Sequence, residues 1–222
     1  MAMTPVLQKI RNRQTMEFEN SVFINCPFDK EYYQLLRPLI FTVIYLGLNP
    51  RLSLESLDSG KPRIEKIVSL IENCKYAIHD LSRIKAKKVG ELFRLNMPFE
   101  LGLDVGCRVF RKRGKWSTKR CLILEEKKYR FQAAISDLSN SDIKAHNNTP
   151  EEVLSIVRNW LKIEVGIIRA PGPSRIWGAF NDFMAYNYDE LIDLGFSKKE
   201  ISKLPINELM GYMKEWINVN TK

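Results

Sequence analysis

Glu100 is the side chain whose surroundings in the sequence most favour chemistry. It follows Pro98, which suits the first turn of a helix, so we expect the carboxylate in that turn. The dipole and free N–H groups of a helix N-terminus lower the pKa of a carboxyl, whereas apolar neighbours raise it by desolvation. An ionised, partly desolvated carboxylate can attack an anomeric carbon or stabilise an oxocarbenium ion. The simpler alternative is that Glu100 only complements the charge of the helix end.

Further polar residues stand where the predicted strands end. Asn25 follows the first strand, Asp58 the second, and Asp80 and Ser82 the third. Either Asp80 or Ser82 could bind a ribose hydroxyl or a phosphate, or both could be cap or turn residues, and Asn25 could be a turn former after its strand. Arg63 could clamp a phosphate through its planar guanidinium group, or it could be a surface charge.

Several familiar site signatures are absent from the sequence. It contains no GxGxxG, no GxxxxGK[ST] and no GxSxG motif, so the usual dinucleotide, P-loop and nucleophile-elbow fingerprints are missing. The two histidines and four cysteines lack the spacing of a zinc site, and no cofactor is expected to be required. Cys26, Cys74 and Cys121 lie in or beside apolar runs and are expected to be buried, reduced thiols. We also expect His79 to be a buried histidine with its hydrogen bonds satisfied.

The hydrophobic pattern predicts an α/β fold. Strands and helices alternate at least four times, and the strands are continuous apolar runs, as in a parallel sheet covered on both faces. In such sheets ligands bind at the carboxyl ends of the strands. The predicted strands are 21–26, 51–55, 76–80, 120–124 and a short edge strand at 142–145, and the predicted helices include 30–46, 129–138, 150–164 and one beginning at Pro98.

The composition indicates one globular domain with appendages. Residues 1–20 form a polar lead, 21–168 the α/β domain, and 175–222 a helical region that follows the linker at 170–174. The chain is 45% hydrophobic, and no run approaches the roughly 18 apolar residues that span a bilayer. The polar start carries no apolar signal core, so we expect a cytoplasmic protein without a membrane partner.

The charge balance favours an anionic partner. Lysine and arginine number 35 against 26 acidic residues, a net charge of +9, and much of the excess lies in the runs 83–88 and 108–120. These runs could be solvated loops, a rim that attracts phosphate, or a surface for nucleic acid. Nucleic acid has the weakest support of the three.

Two segments carry a resemblance to a known family. Residues 71–82, IENCKYAIHDLS, followed by residues 96–102, NMPFELG, resemble the core of nucleoside 2-deoxyribosyltransferases. The opening strand, VFIN at residues 22–25, is similar to that of TIR domains. Both families share a flavodoxin-like architecture, so the resemblance implies a three-layer parallel sheet with a small C-terminal helical extension.

The resemblance also implies roles for individual residues. Glu100 would be the catalytic carboxylate that cleaves an N-glycosidic bond. Asp80 and Ser82 would contact the sugar or orient Glu100, and Asp58 would lie across the mouth of the site. The residues expected to bind substrate are Phe23, Asn25, Phe28, Asp58, Arg63, Asp80, Ser82, Asn96 and Phe99.

Two functions are weighed on this basis. The first is an N-glycosidase that acts on a nucleotide, with NAD or a nucleoside phosphate as substrate, and many bacterial TIR relatives of this kind serve in anti-phage defence. The alternative is a non-catalytic TIR-like module that senses a nucleotide or assembles with itself. In both cases the partners would be a small nucleotide and other copies of the chain, as a homo-oligomer.

Overall fold

The computed structural model describes residues 14–55, 60–84, 94–130, 135–138 and 141–221. The contacts divide the chain into two compact units. Unit 1 contains Met1–Pro27 and Leu48–Ala145, and unit 2 contains Phe28–Gly47 and His146–Lys222. Among the predicted site residues, Asp58 lies outside the described part of the chain.

Unit 1 contains the five described strands and two of the helices, and unit 2 is helical. The strands are β1 (Ser21–Asn25), β2 (Asn49–Arg51), β3 (Tyr76–Asp80), β4 (Arg120–Glu125) and β5 (Lys144–Ala145). The helices are α1 (Tyr33–Tyr45), α2 (Arg63–Glu72), α3 (Asn96–Phe110), α4 (Pro150–Val165), α5 (Pro173–Asp193), α6 (Lys198–Ser202) and α7 (Ile206–Asn220). Short 3-10 turns occupy Ser53–Glu55, Lys115–Thr118 and Ser136–Leu138.

The five strands of unit 1 form one parallel sheet in the order β2-β1-β3-β4-β5. This is the strand order of flavodoxin-like folds, and it confirms the predicted α/β class with a helical C-terminal region. Asn25 pairs with His79 where β1 and β3 end. The chain passes from β1 to β2 on one side of it and then to β3 on its other side. The topological switch point therefore lies between the carboxyl ends of β1 and β3.

The second strand differs from its prediction. It covers Asn49–Arg51 rather than 51–55, and the residues after it form a 3-10 turn. Pro50 lies inside this strand, which is possible because β2 is the edge of the sheet and needs a hydrogen-bonding partner on one side alone. Glu55 fixes the turn, since its carboxylate accepts hydrogen bonds from the Leu52 N–H at 2.5 Å and the Arg51 Nε at 2.8 Å.

One apolar cluster of unit 1 packs α2 and α3 against a face of the sheet. Its members are Phe23, Ile67, Leu70, Ile71, Cys74 and Ala77, with Leu103, Cys107 and Cys121 at its edge. Phe23 and Ala77 come from β1 and β3, so alternate residues of these strands face the two helices. The same alternation directs Asn25 and His79 towards α3.

Unit 2 has a core of aromatic side chains. Phe41 of α1 is fully buried, and its ring lies 5.5 to 6.1 Å from the rings of Phe180, Phe183 and Trp216. Helix α1 therefore packs with the C-terminal helices α5 and α7, although in the chain it stands between β1 and β2. Among the described residues, no helix has both the length and the apolar character needed to cross a membrane.

Candidate functional site

Glu100 lies two residues further into its helix than the sequence predicts. Helix α3 begins at Asn96, so Pro98 is its third residue and Glu100 its fifth, beyond the first turn. Proline is tolerated there because the N–H groups of a first turn have no partner within the helix. The expected stabilisation by the helix N-terminus is thus a wrong prediction. Burial dominates instead and raises the pKa of the Glu100 carboxyl, while the nearby Arg63 guanidinium opposes the shift.

Arg63 is the cation beside this carboxylate. Its Nη2 lies 3.6 Å from Glu100 Oε1, longer than the roughly 2.8 Å of a close charge-assisted hydrogen bond. The Arg63 side chain is 57% exposed, whereas that of Glu100 is 8% exposed. The buried member of the pair is therefore held by its helix, and the exposed member can move to contact a ligand.

A network of buried hydrogen bonds lies close to Glu100. The Asn25 Nδ2 donates to the Met97 carbonyl at 2.9 Å and lies 3.0 Å from His79 Nδ1. Because the carbonyl requires a donor, the amide nitrogen faces both partners, and His79 Nδ1 must accept. His79 then carries its proton on Nε2, which donates to Asp104 Oδ2 at 3.1 Å. His79 is thus buried and satisfied as predicted, and it links β1 to α3.

Lys119 is the last member of this hydrogen-bond network and contacts Asp104. Its Nζ donates to the carbonyls of Ile71 at 2.8 Å and Cys74 at 2.5 Å, and it forms an ion pair of 2.9 Å with Asp104 Oδ1. Burial by itself would raise the pKa of the Asp104 carboxyl, but the hydrogen bond from His79 and the charge of Lys119 outweigh it and hold that pKa below its usual value. Asp104 is ionised and Lys119 is its counter-ion.

These contacts place Glu100 close to the switch point of the sheet. Asn25 is the last residue of β1 and holds the first turn of α3 through Met97. Glu100 follows one turn later, near His79 at the end of β3. In parallel α/β sheets this region is where ligands bind.

Asp80 and Ser82 form a turn of their own. The Asp80 Oδ1 accepts hydrogen bonds from both the backbone N–H, at 2.8 Å, and the hydroxyl of Ser82. Successive residues of a strand face opposite sides of a sheet, so Asp80 points away from the side on which His79 meets Asp104. The structure therefore gives Asp80 and Ser82 a capping arrangement, and their predicted contact with a sugar stays a prediction.

The other predicted site residues are spread over different surroundings. Phe23 is a core residue whose ring packs edge-to-face on His79 at 5.9 Å. Asn96 and Phe99 are exposed near the start of α3, where they could meet a ligand. Phe28 is half-buried and belongs to unit 2.

Asp104 and Lys119 were missed at the sequence level. Asp104 stands four residues after Glu100, and this spacing places both carboxyls on one face of a helix. The spacing is therefore a signal in the sequence for Asp104. Lys119 ends a basic run and resembles its exposed neighbours, so the sequence offered no sign that it is buried.

Glu100 is not among the residues that line two cavities formed by described residues. The smaller, about 140 Å³, adjoins β2 and the start of α2, and the larger, about 510 Å³, lies within unit 2. No group of three or more His, Cys, Asp or Glu residues in the described ranges is arranged to hold a metal ion. Comparisons of the chain with protein-family models, with curated proteins and with solved structures found no match.

Proposed function

We propose that this chain cleaves the N-glycosidic bond of a nucleotide, with Glu100 as the catalytic carboxylate. NAD is the first candidate substrate and a nucleoside phosphate the second. The observation that carries the proposal is the position of Glu100, a buried carboxyl near the switch point of the sheet, whose contacting cation lies on a largely exposed side chain.

The chemistry follows from the desolvation of Glu100. When the bond between C1′ and the base nitrogen breaks, its electron pair leaves with the base and positive charge develops on the ribose. A carboxylate held in a poorly solvated position stabilises that charge more than it stabilises the ground state. Glu100 either forms an ester with C1′, which water then breaks by attack at C1′, or stabilises the cation until water attacks C1′; in both cases the water loses a proton to solvent and the Glu100 carboxylate is regenerated. Nicotinamide leaves NAD as a neutral base and needs no proton, which favours NAD over a nucleoside phosphate.

Arg63 would bind the phosphate of the substrate. Its guanidinium lies 3.6 Å from Glu100 and 3.4 Å from the Ser53 hydroxyl, on an exposed side chain that can turn towards an anion. A planar guanidinium donates two parallel hydrogen bonds to a phosphate. The net charge of +9 also favours a phosphorylated substrate over a bare nucleoside.

The test compares wild type, Glu100→Gln and Glu65→Gln for release of free base. Glu65 is an exposed acid in the first turn of α2, so its substitution makes the same charge change on an exposed side chain. Each protein is incubated with NAD, nucleoside monophosphates and deoxynucleosides, as separate monomer and oligomer fractions, and the products are separated by chromatography. Wild type and Glu65→Gln should release base, and Glu100→Gln should be slower by at least about a hundredfold.

Two results would refute the enzymatic proposal. One is the absence of base release by folded wild type from any substrate in the panel. The other is equal release by wild type and Glu100→Gln. If base release is found, the resemblance to bacterial TIR-like effectors makes anti-phage defence the cellular role to test.

One observation favours a second candidate, a non-catalytic nucleotide-sensing or self-assembling module. Glu100 is buried and lies beside a cation, Arg63, as a structural carboxylate would. In that case NAD or a nucleoside phosphate should bind, by calorimetry, without turnover. Binding should change the mass measured by light scattering, and Arg63→Met should abolish the response. Turnover of the bound nucleotide would exclude this candidate.

A further inference from the structure

The larger cavity lies in unit 2, between helices α5 and α7. Its volume of about 510 Å³ falls within the range of roughly 300 to 1,000 Å³ that small-molecule sites occupy. Aromatic rings line much of it, including those of Tyr186, Tyr212 and Trp216. The ring of Trp216 packs against the rings of Phe41 and Phe183, whose centres lie 6.1 and 6.0 Å away.

The charge of this cavity is opposite to that of the chain. Glu190 and Glu215 line it, and none of the described residues that line it is a lysine or arginine. The whole chain carries a net charge of +9. Glu190 lies one turn after Tyr186, and Glu208 accepts a hydrogen bond of 3.0 Å from the Tyr212 hydroxyl. Carboxylates thus stand beside the aromatic faces of the cavity.

Asn187 supplies an independent indication of a ligand. It lines the cavity and is 6% exposed, and no hydrogen bond joins its side chain to another described residue. Its amide atoms are not among the polar atoms cut off from solvent without a partner, so water or a ligand can reach them. A buried amide without a protein partner is costly unless water or a ligand satisfies it.

We propose that this cavity binds a small organic ammonium ion, with the rings of Tyr186, Tyr212 and Trp216 around the cation and Glu190 and Glu215 balancing its charge. Aromatic faces attract cations through their quadrupoles and are the usual protein surface for alkylated ammonium groups. The apolar walls suit the alkyl part of such a ligand, and Asn187 can bind a hydroxyl or carbonyl on it. This site is independent of Glu100.

The test uses choline and its uncharged isostere 3,3-dimethyl-1-butanol as probes. Binding of each to the full chain is measured by calorimetry and by NMR line broadening of the probe. Choline should bind, and the isostere should bind at least tenfold more weakly because it lacks the charge. Equal binding of the two probes, or no binding of choline, would overturn the proposal without the need for any variant.

Variants then locate the site. Glu215→Gln and Trp216→Leu should each weaken choline binding at least fivefold. Asp182→Asn is the matched control, since Asp182 is an exposed acid on α5 that does not line the cavity. The control should bind as wild type does. If Asp182→Asn weakens binding as much as Glu215→Gln, the effect is one of general charge and the proposed site is wrong.

Discussion

Glu100 and Asp104 lie one helical turn apart on the buried face of α3, yet the pKa values of their carboxyls move in opposite directions. The difference comes from their partners. Asp104 has the imidazole of His79 at 3.1 Å and the ammonium of Lys119 at 2.9 Å, both buried. Glu100 has the largely exposed Arg63 at 3.6 Å. Asp104 is therefore neutralised by buried partners, whereas the one cation beside Glu100 among these contacts is largely exposed.

The raised pKa of Glu100 predicts how its removal changes stability with pH. A raised pKa means that the folded state holds the proton more tightly than the unfolded state does. The stability from Glu100 is thus present below its ordinary pKa of 4.5 and is lost as pH rises through the folded pKa. We expect Glu100→Gln to gain stability relative to wild type between pH 4 and pH 8, measured by urea unfolding. A constant difference across this range would contradict the assignment.

Asp104 should show the reverse dependence. Its lowered pKa provides stability that is present above the ordinary value of 3.8 and is lost as pH falls through the folded pKa. At pH 7, Asp104→Asn should cost about 3 to 5 kcal/mol of unfolding free energy, because it leaves the Lys119 ammonium buried without its counter-ion. The difference in unfolding free energy between wild type and Asp104→Asn should become smaller below pH 4. A loss that does not change with pH would mean that packing, and not charge, is responsible.

The pairing of Lys119 with Asp104 predicts that their substitutions are not additive. Lys119→Met should by itself destabilise strongly, since it leaves the Asp104 carboxylate unpaired. In combination with Asp104→Asn it should cost less than the sum of the two single losses, by about 1 to 3 kcal/mol. Lys75→Met is the control, because Lys75 pairs with Glu19 where both side chains are partly exposed and should cost less than about 1 kcal/mol. Additive losses would exclude a direct Asp104–Lys119 coupling.

The four cysteines should differ in reactivity. Cys74 is buried, and burial raises the pKa of its thiol to about 12, so its thiolate is rare at pH 8. Cys107 and Cys121 are half-buried, so the predicted burial of Cys121 is wrong, and iodoacetamide should alkylate both before Cys74 in the native protein. Peptide mapping by mass spectrometry measures these rates, and in urea all four cysteines should react. Alkylation of native Cys74 at the rate of Cys107 would show that this part of unit 1 opens readily.

The apolar pattern was sufficient to predict the buried strands β1, β3 and β4, whereas the edge strand β2 begins two residues earlier than predicted. Continuous apolar runs such as residues 21–25 and 76–80 form buried strands wherever they occur in a parallel sheet, so local pattern alone predicts them. The start of α3 was misplaced because it depends on a contact between Asn25 and the Met97 carbonyl, two residues far apart in the chain. Burial of Lys119 likewise depends on carbonyls of another segment, Ile71 and Cys74, which no local pattern reveals.

The packing of Phe41 has a consequence for the order of events during synthesis. Its partners Phe180, Phe183 and Trp216 leave the ribosome about 140 residues or more after it does, which at typical rates is a delay on the order of ten seconds. Until then the apolar face of α1 lacks its aromatic partners, while the strands that follow it are already being made. Nascent chains should therefore recruit chaperones through residues 33–45, and a fragment that contains residues 146–222 alone should not fold, because it lacks the helix that fills its core.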